Sequence, residues 1–128
     1  MQAFPLAVWP GRWAVCRLSP DSAVPPWAWA PGRLVGVTRT ATELSVLAPS
    51  ERVPDDMVAE RDFRVIEVVG PVPLTVVGLM AAITRPLAEA GVSVFTVATY
   101  DTDYVLVREA SLEAAARALS AAGFSITA

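Results

Sequence analysis

The clearest secondary-structure pattern in this sequence lies in residues 63–108, FRVIEVVGPVPLTVVGLMAAITRPLAEAGVSVFTVATYDTDYVLVR. Residues 63–69 (FRVIEVV) are rich in β-branched side chains and predict a strand, which the following GPVP ends. Apolar residues then recur every three or four positions over residues 75–90, which predicts a helix with Thr75 as its N-cap. Gly91 is well placed to end this helix in the left-handed conformation.

The rest of the second half completes a recognisable order of elements. Residues 92–99 and 104–108 predict two strands joined by a polar turn. An alanine-rich helix follows between Ser111, its expected N-cap, and Gly123, and residues 124–127 form a short last strand. The order β-α-β-β-α-β predicts a ferredoxin-like α+β fold.

The first half repeats this plan in a reduced form. Residues 12–18, 34–38 and 42–48 predict strands, but the segment between the first two has room for only a turn or two of helix. An alignment at an offset of 60 places Val37 on Val97 and Glu43 on Asp103. We therefore predict two similar units packed together, residues 1–62 with a shortened first helix and residues 63–128 complete.

Two tryptophans, Trp27 and Trp29, lie in the short segment of the first unit. They either fill the space that a longer helix would occupy or form a stacking surface for a ligand or partner. Trp9 and Trp13 are expected in the core or at a subunit contact.

Composition argues against several function classes. The formal charge is −3 and the ten basic residues, all arginine, are scattered, whereas nucleic-acid binding requires a basic surface. Histidine and lysine are absent and the single cysteine, Cys16, lies in an apolar run. The usual general base, zinc ligands and nucleophile–base pairs are therefore missing, and we expect no enzyme, no metal site and no cofactor.

The same residues predict a cytoplasmic protein without a membrane partner. The longest uncharged stretch, residues 68–84, contains two prolines and is shorter than the ~20 residues of a membrane-spanning helix. The N-terminus has no basic start and no clear cleavage site of a signal peptide. A lone thiol fits a reducing compartment.

Residues 70–107, which include the motif TYDTDY, resemble bacterial ACT-domain proteins related to the cytosolic arginine sensors. GVTRTATELSVL (residues 36–47) is similar to the matching motif of the first ACT unit in those proteins. The resemblance implies two ACT units with a pocket for a free amino acid near their interface. The matching ligand-binding positions are Gly70, Pro71, Thr75, Gly78, Thr99, Tyr100 and Asp103.

The residues themselves offer groups that suit a free amino acid. Exposed N–H groups at the start of the first helix could bind a carboxylate, and Asp103 could pair with an ammonium group. Alternatively, residues 101–103 form an ordinary hairpin turn. Glu43 either adds a second carboxylate across the interface or is a solvated strand-end residue. No acidic residue precedes Glu89 on the first helix, which argues against a ligand with a basic side chain.

Two hypotheses about function follow. The first is a regulatory amino-acid sensor without catalytic activity, acting as a homodimer. The second is an ACT-type dimerisation module that binds no small molecule and acts through a protein partner. A buried Asp103 paired only with an internal arginine, such as Arg39, would favour the second hypothesis.

Overall fold

The computed structural model describes residues 4–128, which divide into two compact units. One consists of Gly11–Phe63, and the other of residues 4–10 together with residues 64–128. The strands are β1 (Leu6–Val8), β2 (Trp13–Leu18), β3 (Gly36–Arg39), β4 (Leu44–Pro49), β5 (Ala59–Val68), β6 (Val94–Ala98), β7 (Asp103–Arg108) and β8 (Ile126–Thr127). The α-helices are α1 (Leu79–Glu89) and α2 (Leu112–Ala121).

The unit that holds both α-helices has the predicted order β5-α1-β6-β7-α2-β8. Its strands lie side by side in the order β8-β1-β5-β7-β6. This is the ferredoxin-like arrangement with one strand added, because β1 pairs antiparallel with β5 and parallel with β8. The sequence did not reveal β1, which is three residues long, and its pairing places residues 4–10 with the second half rather than with residues 11–62.

The core of this unit joins one face of its sheet to both helices. Fully buried side chains come from β5 (Ile66, Val68), β7 (Val105, Val107), α1 (Ile83, Leu87) and α2 (Ala115, Leu119). Burial of each large aliphatic side chain stabilises the fold by about 1.5–3 kcal/mol. The helices are therefore fixed on the sheet by the apolar periodicity seen in the sequence.

The start of α1 differs from the prediction. The helix begins at Leu79, and Thr75 is exposed in a turn four residues earlier, so the prediction that Thr75 caps the helix is wrong. Gly78 occupies the N-cap with φ +85°, a conformation that interrupts the helical pattern, and no side chain caps the helix.

The ends of both helices match the prediction. Gly91 has φ +73°, and the N–H of Val92 donates to the carbonyl oxygen of Leu87 at 2.8 Å, as expected of a Schellman motif. Gly123 ends α2 in the same way with φ +98°. Ser111 precedes α2 as predicted, but its side chain makes no capping hydrogen bond.

The unit Gly11–Phe63 has the same topology in a reduced form. Its strands lie in the order β5-β2-β4-β3, and short 3-10 helices (Pro26–Ala28 and Ser50–Arg52) stand where the other unit has α-helices. The buried residues Ala14, Cys16, Ala28, Leu44, Val46, Ala48 and Val53 form its core. Both units thus confirm the α+β, ferredoxin-like fold with a shortened first helix.

The four tryptophans fall in different environments. Trp27 packs against the core of Gly11–Phe63, whereas Trp29 is 56% exposed, so only Trp27 fills the space of the missing helix. Trp13 is buried and donates a 2.9 Å hydrogen bond to the carbonyl oxygen of Leu34. Trp9 is half-buried and donates to the Glu67 carboxylate at 3.0 Å.

The central hairpins of the two units correspond at an offset of 59, not 60. Gly36 pairs with Leu47 in one hairpin, and Phe95 pairs with Leu106 in the other. The structural counterpart of Asp103 is consequently Leu44, and Glu43 corresponds to Thr102. The predicted equivalence of Glu43 and Asp103 is wrong, because the residue pattern that the two halves share is displaced by one position from the hydrogen-bonded register.

Candidate functional site

A cleft of about 230 Å³ opens in the unit that holds α1 and α2. Two segments form it: residues 72–80, which lead into α1, and residues 99–103, which join β6 to β7. Its lining residues are Val72, Pro73, Leu74, Val76, Gly78, Leu79, Met80, Thr99, Thr102 and Asp103. The ends of a strand, a helix and a turn therefore meet around one concave surface.

The first segment is held against the turn by its main chain. The Gly70–Pro71 peptide bond is cis, and the N–H of Val72 donates to the carbonyl oxygen of Asp101 at 2.7 Å. A Cβ atom at Gly70 would lie 2.7 Å from the nitrogen of Val72 and 3.2 Å from the oxygen of Asp101. Only glycine allows this close approach of the two segments.

The turn between β6 and β7 is fixed by two threonines. The N–H and the hydroxyl of Thr99 donate to the carbonyl oxygen of Thr102 at 2.8 and 3.0 Å, and the N–H of Thr102 donates to the Thr99 hydroxyl at 3.3 Å. Thr102 is only 8% exposed, and its hydroxyl donates to the carbonyl oxygen of Val68 at the end of β5. These bonds join the turn to the central strand of the sheet.

The cleft also contains the amino-terminal end of α1. The first bond of the α-helical pattern at this end runs from the N–H of Ala82 to the carbonyl oxygen of Gly78, at 3.0 Å. The N–H groups of Leu79, Met80 and Ala81 have no acceptor one turn earlier in the helix. Together with the helix dipole, these groups favour an anionic group such as a carboxylate.

Asp103 supplies the opposite charge. It is the first residue of β7, it is half-buried, and it is the only charged residue among those that line the cleft. Within residues 4–128 it takes part in no ion pair, and Arg39 instead donates to the main-chain oxygens of Pro20 and Ser22. The arrangement is thus able to receive a positively charged group beside Asp103.

Three of the residues singled out in the sequence, Gly78, Thr99 and Asp103, line this cleft together. Gly70 and Pro71 shape the first segment but lie on a neighbouring hollow instead. Tyr100 is 84% exposed and lines a second shallow hollow beside Leu74.

The other two singled-out residues lie elsewhere. Thr75 is not among the residues that line the cleft. Glu43 belongs to the unit Gly11–Phe63, where its main chain closes a turn with Thr40.

The sequence pattern does not reveal the apolar residues of the cleft. Val76 and Met80 belong to the apolar spacing over residues 75–90 that predicts a longer helix, yet both are only partly buried and line the cleft. Gly78 was the available signal, because a glycine within an apolar helical period can mark a helix end.

The hollow lined by Gly70 and Pro71 has an acidic character. Glu67, Asp101 and Tyr104 also line it, and the Trp9 ring meets the Tyr104 ring edge to face at a centroid distance of 5.6 Å. Burial, and then the charges of Glu67 and Asp101, raise the pKa of Tyr104 above its ordinary value. The phenol therefore stays protonated at neutral pH.

Two further features are absent from the part of the chain that the structure describes. No group of three or more histidine, cysteine, aspartate or glutamate side chains could hold a metal ion there. None of its helices is both long and apolar enough to span a membrane.

Solved structures similar to this chain include two bacterial proteins. A crystal structure from Agobacterium tumefaciens is 32% identical, with a TM-score of 0.91 over 98% of this chain and 93% of the other. A Vibrio cholerae protein of unknown function, described as a possible transport protein, is 23% identical, with a TM-score of 0.76 over 94% and 91% of the two chains.

The ligand-free regulatory subunit of aspartate kinase from Thermus thermophilus shares the fold. It is 13% identical, with a TM-score of 0.59 over 96% of each chain. No curated protein matches the sequence at a significant level.

Family models match both halves of the chain. A family model described as an N-terminal domain covers residues 11–56. A model described as an ACT domain covers residues 58–121, half of the chain and most of the unit that contains the cleft. This chain belongs to the ACT-domain family.

Proposed function

We propose that this protein is a regulatory amino-acid-binding protein without catalytic activity, and that the ligand binds in the cleft between residues 72–80 and residues 99–103. The observation that carries the proposal is that the cleft places the amino-terminal end of α1 and the Asp103 carboxylate on one concave surface. A free amino acid carries one carboxylate and one ammonium group, which match these two features in sign.

In this proposal, the ligand carboxylate accepts hydrogen bonds from the first N–H groups of α1. Gly78 has no side chain that would block this approach. The ligand ammonium group donates to Asp103 and to the hydroxyl of Thr99, which also line the cleft. Hydrogen bonds to charged groups contribute about 1.5–3 kcal/mol each, so a few of them account for a specific small-molecule site.

Ligand binding would join the segment before α1 to the turn before β7. The ligand thereby stabilises whichever arrangement of these segments it binds more tightly, and this differential affinity is the basis of regulation. A protein partner would then respond to the occupied form.

We also propose that the protein acts in the cytoplasm as a homodimer. Cys16 is buried and burial raises the pKa of its thiol, which keeps the single cysteine unreactive and fits a reducing compartment. Among the described residues β6 pairs only with β7, which leaves one edge of β6 able to pair with a second copy.

The alternative function, a dimerisation module without a ligand, has less support. It would be favoured if Asp103 were neutralised by an internal arginine. Asp103 instead lines an open cleft and takes part in no ion pair within residues 4–128.

A thermal-shift screen against the twenty free amino acids tests the proposal. At 100 times Kd a ligand adds ~2.7 kcal/mol to the stability, which raises Tm by several degrees. We expect Asp103→Asn to abolish the shift, and Asp101→Asn to retain it, because the exposed side chain of Asp101 does not line the cleft. No shift with any amino acid, or an equal shift in both variants, would reject this site.

A further inference from the structure

We infer that the cleft selects amino acids with uncharged, apolar side chains, and that Leu74 at its rim is a specificity-determining residue. This inference rests on the proposed function and names the chemical class of its ligand. It follows from the composition of the cleft wall and from the position of Leu74.

Six of the ten residues that line the cleft have apolar side chains. Leu79 and Val72 are buried at its base, and Val76 and Met80 expose part of their side chains. An apolar ligand side chain against this surface removes apolar area from water, which contributes about 25 cal/mol per Å². Met80 can adjust to side chains of different shape, because methionine is flexible and unbranched.

The charges of the cleft are already matched by the constant part of an amino acid. The end of α1 faces the carboxylate and Asp103 faces the ammonium group in the proposed mode of binding. No second acidic residue and no basic residue lies among the lining residues. A ligand with its own charged side chain would lose hydration without gaining an opposite charge, which is unfavourable.

Leu74 is positioned to contact the ligand side chain. Leu74 lines the cleft and also the shallow hollow that contains Tyr100, yet 75% of its surface is exposed. Its exposure is not explained by packing within the chain, and a bound apolar side chain would cover it. Since Leu74 makes little contribution to the core, its substitution changes the rim of the cleft without affecting folding.

Isothermal titration of the full chain with two panels of amino acids tests the inference. The apolar panel contains valine, leucine, isoleucine, methionine and phenylalanine, and the charged panel contains aspartate, glutamate, lysine and arginine. We expect the best apolar ligand to bind at least about ten-fold more tightly than any charged one. We expect Leu74→Glu to weaken the binding of the apolar amino acids by a similar factor. The difference in affinity between the best apolar amino acid and lysine or arginine should also become smaller.

Val77 provides the matched control, because it is 83% exposed and close to Leu74 in sequence but does not line the cleft. Val77→Glu adds the same charge outside the cleft, and it should leave the preference for the apolar panel over the charged panel unchanged. A charged amino acid that binds as tightly as the best apolar one, with binding lost in Asp103→Asn, would overturn the specificity while supporting the proposed function. Equal effects of Leu74→Glu and Val77→Glu would overturn the role of Leu74, and no binding in either panel would overturn the inference together with the proposed function.

Discussion

The main-chain N–H of Val72 donates a 2.7 Å hydrogen bond to the carbonyl oxygen of Asp101. This bond joins the segment that follows β5 to the turn that precedes β7, two parts of the chain 29 positions apart. The two sides of the cleft are therefore held together by backbone atoms. The distance between the two sides of the cleft is therefore set by how closely the backbone of residues 70–72 approaches the turn before β7.

Gly70→Ala tests this close approach. The new Cβ would lie 2.7 Å from the Val72 nitrogen and 3.2 Å from the Asp101 oxygen, so the backbone must shift. We expect a loss of about 1–3 kcal/mol in the free energy of unfolding, measured by urea denaturation. Gly36→Ala is the matched control, because its Cβ would meet only the Leu47 side chain at an ordinary 3.6 Å. Equal stability of the two variants would show that the segments do not need the glycine.

Much of the fold was accessible from local sequence patterns. The β-branched run in β5, the apolar periods of α1 and α2, and the glycines that end the helices all correspond to elements at or near the predicted positions. These signals act through local backbone preferences and burial, which a single sequence expresses directly. The three-residue β1 was missed because its strand conformation depends on pairing with β5 and β8, which are distant in sequence.

The candidate site was only partly accessible from the sequence, for a related reason. Asp103 is suggested by the polar turn and Thr99 only by the family resemblance, whereas the apolar spacing before Leu79 continues the helical period and predicts an earlier start of α1. The positive φ of Gly78 overrides that spacing. The repeated pattern of an apolar residue, threonine, an acidic residue and an apolar residue matches Glu43 to Asp103, whereas the hydrogen-bonded register pairs Arg39 with Leu44 and Ala98 with Asp103.

Gly78→Ala should affect both stability and ligand binding. Gly78 has φ +85°, a conformation that costs an L-residue roughly 1–2 kcal/mol, and it adjoins the N–H groups that we propose to bind the ligand carboxylate. Relief of the strain would move these groups, so the thermal shift produced by the amino acid should shrink.

Gly123→Ala is the control for Gly78→Ala. It introduces similar strain at φ +98°, but it lies at the end of α2 and does not line the cleft. The control should lose stability while its ligand-induced shift stays intact. Equal shifts in the two variants would argue against binding at the start of α1.

Thr102→Val should destabilise the turn without changing its shape greatly. The Thr102 hydroxyl is buried and donates to the carbonyl oxygen of Val68. In the variant, this carbonyl oxygen loses its hydroxyl donor. The expected cost is about 1–3 kcal/mol by chemical denaturation. Thr96→Val, on the exposed surface of β6, should change the stability by less than about 0.5 kcal/mol.

The pH dependence of stability provides a test of the acidic surroundings of Tyr104. Its pKa is raised in the folded state by burial and by the charges of Glu67 and Asp101, so folding favours the neutral phenol. The resulting stabilisation is fully present below the unfolded pKa of 10.0 and is lost as the pH rises through the folded pKa. The free energy of unfolding should therefore fall above about pH 10.

Tyr104→Phe separates this contribution from that of Cys16, whose raised pKa acts in the same direction. The variant cannot ionise at this position, so its stability should fall less steeply with alkaline pH. Ultraviolet titration of Tyr100→Phe, in which Tyr104 is the only tyrosine, should give a midpoint above 10. Adding Glu67→Gln should lower that midpoint, since one of the two nearby negative charges is removed. An unchanged midpoint would mean that the charge of Glu67 does not contribute to the raised pKa of Tyr104.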